Sequence, residues 1–126
     1  MNNIFRFRDF PVYQEVRAFR ADLKVFFKSK FPPEEKYCLL SQALRAMDSI
    51  LLNIAEGSER YSDLDFSRFL NMAVTSVNEV VAILDAAVDD KYITECERVF
   101  CSNKAENIYR QLRAFSAKVR KSPGSG

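Results

Sequence analysis

One row of polar side chains has the residue types and spacing that chemistry or recognition would require. Successive members are three, four, four and three residues apart, and at about 100° per residue an α-helix places all of them on one side. The row is the solvent face of an amphipathic helix, an interface with another subunit, or a catalytic site. Its members are Gln42, Arg45, Ser49, Asn53 and Glu56.

Two features of this row favour a subunit interface. Glu56 lies at the carboxyl end of the predicted helix, where a negative charge is unfavourable unless a partner pairs with it. Leu52 lies among the polar residues, although the opposite apolar face already covers more of the helix than one bundle core requires. Interfaces commonly combine apolar patches with Arg and Asn side chains.

The chain contains no histidine, and this excludes several reaction classes. It cannot form a Ser-His-Asp or Cys-His nucleophile arrangement, nor the common zinc and iron sites that use histidine. Carboxylates are present, but none shows the Glu-x-x-His or repeated Glu spacing of di-iron bundles. We therefore expect no catalytic residue, no metal and no cofactor, and a protein that is not an enzyme. The carboxylates near the row are Glu34, Glu35, Asp48, Glu56 and Glu59.

Four amphipathic helices would carry these residues. Gly and Pro are scarce, which leaves long uninterrupted segments, and apolar residues recur along them every three or four positions. Thr94-Glu95-Cys96-Glu97 has the pattern of a capping box at the start of the last helix. Four such helices with short loops predict an all-α, antiparallel up-down-up-down four-helix bundle. The predicted helices span roughly residues 11–30, 34–57, 63–89 and 95–120.

The length of 126 residues predicts one domain over residues 1–121, followed by a disordered tail at 122–126. No cationic and apolar leader is present, and no apolar run approaches the roughly 18 residues that span a bilayer. We expect a cytoplasmic protein without a membrane partner. Cys38, Cys96 and Cys101 form no C-x-x-C pair, so we expect them to be small buried hydrophobes.

The net charge of +2 conceals an uneven distribution. Residues 1–31 and residues 94–126 each contain seven basic and three acidic side chains, whereas residues 32–61 and 62–93 carry net charges of −2 and −4. The first and last helices are neighbours in an up-down bundle, which predicts a basic side and an acidic side.

The basic side is a candidate surface for the phosphates of a nucleic acid. The alternative is a solvated surface, or one that meets the acidic side of another subunit. No zinc finger, RRM or KH motif is present, so we do not expect sequence-specific base reading. The candidate nucleic-acid contacts are Arg17, Arg20, Lys24, Lys28, Arg110, Arg113, Lys118 and Arg120.

A series of residues between positions 5 and 93 matches the pattern of a known family. It includes Phe31-Pro32, Gln42, Arg45-Ala46, Ser49-Ile50, Asn53-Ile54-Ala55-Glu56-Gly57, Arg60, Phe66 and Phe69-Leu70. Through these residues the chain resembles the bacterial four-helix bundle proteins encoded in intervening sequences of 23S ribosomal RNA genes. Two positions depart from the family pattern: Leu44 replaces a usual Arg, and Thr75 replaces a frequent Gly.

The resemblance implies a left-handed bundle that assembles as a homopentamer and has no known catalytic activity. A related branch, the accessory variability proteins of diversity-generating retroelements, is strongly basic and binds nucleic acid and a reverse transcriptase. At +2, this chain is more similar to the intervening-sequence branch. The implied partners are further copies of the chain, ribosomal RNA or other nucleic acid, and a reverse transcriptase.

These observations lead to two expectations of function. The first is a non-enzymatic oligomeric bundle that contacts RNA or a nucleoprotein through its first and fourth helices. The second is a protein-interaction scaffold, or an accessory protein of a reverse transcriptase, that does not contact nucleic acid directly.

Overall fold

A computed structural model describes residues 4–35 and 38–121. Within these ranges the chain forms four α-helices and two short 3-10 helices, and it contains no β-strand. The predicted disordered tail, residues 122–126, lies outside the described residues. The elements in chain order are a 3-10 turn (Arg6–Asp9), α1 (Pro11–Lys30), a 3-10 turn (Pro33–Glu35), α2 (Leu39–Gly57), α3 (Asp63–Asp89) and α4 (Glu95–Arg120).

The helices form an antiparallel bundle in which each packs against the next, and α1 also packs against α4. Arg20 in the middle of α1 reaches Asp48 in the middle of α2, while Arg6, which precedes α1, reaches Ser58 at the end of α2. The two helices therefore run in opposite directions. The all-α up-down-up-down prediction is confirmed, with α3 packed closely against both α2 and α4.

Three of the four predicted helices have the expected boundaries, but α2 begins at Leu39 rather than at residue 34. Proline fixes its own φ angle and lacks an N–H group, so it suits any first helical turn, whether or not a helix continues from it. Here the turn is a short 3-10 helix, closed by a 2.9 Å hydrogen bond from the Glu35 N–H to the Pro32 carbonyl oxygen. Cys38 then has φ −115° and ψ −90°, outside the helical region. Lys36 and Tyr37 lie outside the described residues.

Hydrogen bonds from backbone N–H groups to side-chain oxygens fix the start of the last two helices. The Glu97 N–H donates to Thr94 Oγ1 at 3.1 Å, and the Thr94 N–H donates to Glu97 Oε1 at 2.9 Å. This reciprocal pair confirms the predicted capping box. At the start of α3, Ser62 Oγ accepts a 3.1 Å hydrogen bond from the Asp65 N–H.

The core consists of one apolar stripe from each helix. α3 contributes the longest stripe because it is the longest helix, with 27 residues, and packs closely against both α2 and α4. By length and composition alone α3 could cross a membrane, contrary to the expectation that no segment approaches that length. However, 44% of its apolar window is buried inside the bundle, and a core helix passes the same test. The largest fully buried side chains are Val16, Leu23, Phe27, Met47, Ile50, Ile54, Leu70, Val74, Val80, Leu84, Ile108 and Leu112.

Candidate functional site

One member of the polar row on α2, Ser49, contacts α3, and a second member, Asn53, contacts Ser49. The hydroxyl of Ser76, a residue that is 3% exposed, donates to Ser49 Oγ at 2.8 Å. Asn53 Nδ2 donates to the Ser49 carbonyl oxygen at 2.9 Å and to its Oγ at 3.2 Å. Ser49 and Asn53 therefore form a small polar network that joins α2 to α3.

Glu56, a third member of the row, has a partner within its own chain. Arg60 Nη2 lies 2.6 Å from Glu56 Oε1, and Arg60 Nε lies 3.8 Å from Asp65 Oδ2. The Arg60 guanidinium also lies 4.4 Å from the ring centroid of Phe69. Glu56 therefore does not need a second subunit to offset its charge, and the i,i+4 spacing to Arg60 is the sequence signal that reveals this.

Arg45 lies in a groove between α1 and α2. This groove, of about 510 Å³, also contains Arg20, Asp48 and Leu52. Arg20 Nε donates to Asp48 Oδ1 at 2.5 Å, whereas Arg45 is exposed and forms no ion pair with a described residue. Leu52 is 66% exposed. Of the row, only Gln42, Arg45 and Glu56 are exposed at the surface.

Three of the eight candidate nucleic-acid contacts have polar partners in the bundle. Arg20 pairs with Asp48 of α2, Arg110 Nη2 lies 2.7 Å from Glu106 Oε1, and Arg113 Nη1 donates to Asn71 Oδ1 of α3 at 3.2 Å. The other five form no ion pair with any residue of the described ranges, and all but the half-buried Lys24 are exposed. They are Arg17, Lys24, Lys28, Lys118 and Arg120.

Acidic, basic and amide side chains occupy the seam between α1 and α4. Glu15 Oε1 accepts from Asn107 Nδ2 at 2.5 Å, and Glu15 Oε2 accepts from Gln111. Lys104 pairs with Asp22 across the seam at 3.7 Å. The partners of Arg20 and Arg113 lie instead on α2 and α3, so the structure does not bring these two predicted contacts together at the seam.

An apolar groove of about 290 Å³ also opens between α1 and α4, lined by Phe26, Phe100 and Cys101. Burial raises the pKa of the Cys101 thiol above its ordinary value of 9.0, so the thiol stays protonated at neutral pH. The prediction that all three cysteines are buried holds for Cys101 and is wrong for Cys38 and Cys96, which are exposed.

A further groove, which we call the end groove, lies where the first 3-10 turn meets the last turn of α4. It has a volume of about 570 Å³ and is lined by Arg6, Phe10, Pro11, Val12, Asp63, Phe66, Gln111, Ala114, Phe115, Lys118 and Val119. The Phe10 and Phe115 rings meet edge to face at 5.1 Å between centroids, and the Phe66 and Phe115 rings do so at 5.4 Å.

Arg6 lies over the aromatic rings of the end groove. Its guanidinium carbon is 5.6 Å from the Phe10 ring centroid and 5.5 Å from that of Phe66, and Nη2 donates to the Ser58 carbonyl oxygen at 2.8 Å. No periodicity in the sequence marks Arg6, because it precedes α1 and belongs to no helical stripe.

The carboxylates do not assemble into a metal site. Within residues 4–35 and 38–121, no group of three or more His, Cys, Asp or Glu side chains is placed to hold a metal ion. Glu35 Oε1 instead accepts a 3.2 Å hydrogen bond from the Tyr92 hydroxyl. Desolvation, together with this hydrogen bond to Glu35, raises the Tyr92 pKa above its ordinary value.

A family model described as 23S rRNA-intervening sequence protein matches residues 8–114. The chain belongs to this family. The match to the 23S rRNA-intervening sequence proteins covers α1, α2 and α3 and most of α4. It includes Phe10 and Phe66 of the end groove and stops just before Phe115.

A solved structure supports the fold of this 23S rRNA-intervening sequence protein. It is a protein with unknown function from the S23 ribosomal protein family of Bacteroides thetaiotaomicron, and it is 25% identical in sequence. The similarity has a TM-score of 0.71 and covers 83% of this chain and 97% of the other. Comparison with curated proteins gives no match.

Proposed function

We propose that this protein is a non-enzymatic, oligomeric bundle that associates with RNA or a ribonucleoprotein through cations of α1 and α4. The observation that carries the proposal is a set of five cations on α1 and α4 that form neither an ion pair nor a side-chain hydrogen bond with a described residue: Arg17, Lys24, Lys28, Lys118 and Arg120. A cation that is not neutralised by a carboxylate can displace counterions from phosphates, and this displacement drives RNA binding without regard to base sequence.

The names of the relatives support RNA as the class of partner. The family is named for an intervening sequence in 23S rRNA, and the Bacteroides thetaiotaomicron protein is assigned to a ribosomal protein family. The modest net charge of +2 is consistent with weak, salt-sensitive association rather than with tight binding.

Charge reversal tests this proposal directly. In the double variant Arg17→Glu/Lys28→Glu, we expect weaker binding to a ribosomal RNA fragment, and a salt slope smaller by about two. The matched control is Arg68→Glu/Lys91→Glu, which makes the same change in net charge at two exposed cations on α3 and after it. Fluorescence anisotropy at several salt concentrations measures both. No RNA binding by the wild type refutes the proposal, and equal losses in the two variants refute its placement on α1.

A second candidate function is a protein-interaction scaffold. The exposed Leu52 beside Arg45, which forms no ion pair with a described residue, supports it, because an apolar side chain next to an Arg is typical of an interface. The partner would be another copy of the chain, in the homopentamer that the resemblance implies, or a reverse transcriptase in an accessory role. A neighbouring reverse transcriptase gene would favour the latter.

Light scattering separates this scaffold from the RNA-binding function. If the outer face of α2 is a subunit interface, Arg45→Glu should reduce the mass of the assembly, whereas Glu59→Lys, an exposed charge reversal beyond the end of α2, should not. An Arg45→Glu variant that keeps the wild-type mass would rule out this placement of the interface.

A further inference from the structure

We propose that the end groove binds an unpaired nucleobase together with its phosphate, so that the protein prefers single-stranded RNA to a duplex. This inference rests on the RNA association proposed above and gives it a specific site. Of the residues that line the end groove, only Lys118 belongs to the cations predicted from the sequence.

The floor of the end groove has the chemistry that stacks nucleobases. Phe10 and Phe115 are half-buried, so each ring contacts the core and still reaches the groove. Their edge-to-face contact, and the contact of Phe115 with the buried Phe66, hold the rings in place. Aromatic side chains on a fixed surface stack bases of any sequence, because every base has a π face.

Cations flank this aromatic floor. Arg6 and Lys118 are exposed, come from opposite ends of the chain, and both line the groove. Arg6 is held by its bond to Ser58 and by the two rings beneath it, so its remaining N–H groups are positioned before a ligand arrives. Among the described residues that line the groove, Asp63 is the single carboxylate beside the two cations, which leaves a net positive charge suited to phosphate.

The apolar groove between α1 and α4 does not have such a net positive charge. Between α1 and α4, Lys104 pairs with Asp22 at 3.7 Å, and Lys30 pairs with Glu97 at 2.9 Å. The cations beside that groove are therefore neutralised. The volume of the end groove, about 570 Å³, also lies within the roughly 300–1,000 Å³ typical of small-molecule sites.

The site explains a preference for single strands. A base paired in a duplex is stacked between its neighbours and cannot lie against a protein ring, whereas an unpaired base can. Cations outside the end groove bind the phosphates of single-stranded and duplex RNA alike, whereas the groove accepts only an unpaired base. The end groove should therefore be the part of the protein that discriminates single-stranded RNA from duplex RNA.

Two exposed alanines of α4 provide a matched test. Ala114 lines the groove, and Ala117, three residues further along the same helix, does not. Ala114→Glu should weaken binding of an adenosine 12-mer about five-fold or more, as expected for loss of one stacked base and its phosphate. Ala117→Glu adds the same charge outside the groove, three residues before Arg120, so it should weaken single-strand binding less than Ala114→Glu does. Duplex RNA should be affected equally, and weakly, by both variants.

A second pair of variants tests the aromatic floor. Phe115→Leu should weaken single-strand binding selectively, whereas Phe26→Leu, a half-buried aromatic of the other groove, should leave it unchanged. Thermal melts identify any loss of folding in these two variants. Ala114 and Ala117 are exposed, so substitutions at these two positions do not disturb the core.

Equal effects of the two alanine variants, or equal losses for single-stranded and duplex RNA, would overturn the proposal. If these results accompany a loss of binding in Arg17→Glu/Lys28→Glu, the proposed function stands while the end groove does not. If the wild type binds no RNA, both are refuted.

Discussion

The last residue of α2, Gly57, touches Phe69 of α3 so closely that an added β-carbon would lie 2.7 Å from the Phe69 β-carbon. The same atom would lie 2.9 Å from Cδ1 of Phe66. The Phe69 β-carbon is attached directly to the backbone and cannot move aside as the end of a flexible side chain can. Gly57 therefore permits the close approach of two helices near the turn that connects them.

Gly57→Ala should destabilise the protein although alanine is the better helix former. The gain in helix propensity is at most about 1 kcal/mol, whereas overpacking at a close contact typically costs about 1–3 kcal/mol. Denaturant unfolding measures the difference. Glu59→Ala, at an exposed position just beyond the helix, serves as the control and should change the free energy of unfolding by less than about 0.5 kcal/mol. A stabilised Gly57→Ala variant would contradict this account of the contact.

The Ser49 and Ser76 hydroxyls should be energetically coupled. Ser49→Ala removes the acceptor of a buried hydroxyl and should cost about 1 kcal/mol. In the double variant Ser49→Ala/Ser76→Ala no hydroxyl remains unsatisfied, so the total loss should be smaller than the sum of the single losses. A double-mutant cycle in urea measures the coupling, which we expect at about 0.5–1.5 kcal/mol. Additive losses would show that the two hydroxyls do not interact.

Local signals explain how far the fold could be predicted. The Pro32-Pro33 pair ends α1, and Thr94 with Glu97 begins α4, because these residues act on the backbone within a few positions of themselves. The predicted start of α2 was wrong because the signal that indicated it is also local. Proline suits any first turn, and whether a helix continues depends on packing further along the chain.

Contacts between helices could not be predicted in this way. Periodicity shows which face of a helix is buried, but not how far one helix is shifted along its neighbour. That shift decides that Ser49 meets Ser76 and that Gly57 meets Phe69. The end groove depends in addition on Arg6, which lies outside every helical stripe and reaches Phe66 only through the fold.

Lys91 offers a stabilising substitution. It follows α3 with φ 64°, in the left-handed region, where a side chain is unfavourable and glycine is not. Its N–H donates to the Val88 carbonyl oxygen at 2.9 Å, as part of the end of the helix. Lys91→Gly should therefore raise the free energy of unfolding by about 1 kcal/mol. Asp90→Gly, where φ is −84°, should give no such gain. A loss of stability in Lys91→Gly would contradict the argument.

The ion pair between Lys30 and Glu97 should make stability depend on pH. Glu97 Oε2 lies 2.9 Å from Lys30 Nζ. This ion pair joins the end of α1 to the first turn of α4. The hydrogen bond from Lys30, followed by that from the Thr94 N–H, lowers the pKa of Glu97 below its ordinary value of 4.5. A carboxyl with a lowered pKa contributes its stability above the unfolded-state pKa and loses it as the pH falls through the folded-state pKa.

Glu97→Gln isolates this contribution, because glutamine can still accept from the Thr94 N–H and complete the capping box. Urea unfolding between about pH 7 and about pH 3 should show the wild type as the more stable protein at neutral pH. The two free energies should converge below pH 4.5, where Glu97 becomes protonated. Glu59→Gln, at an exposed carboxylate that forms no ion pair with a described residue, is the control for a general effect of charge. A constant difference between wild type and Glu97→Gln across this range would show that the Lys30 pair does not carry the dependence.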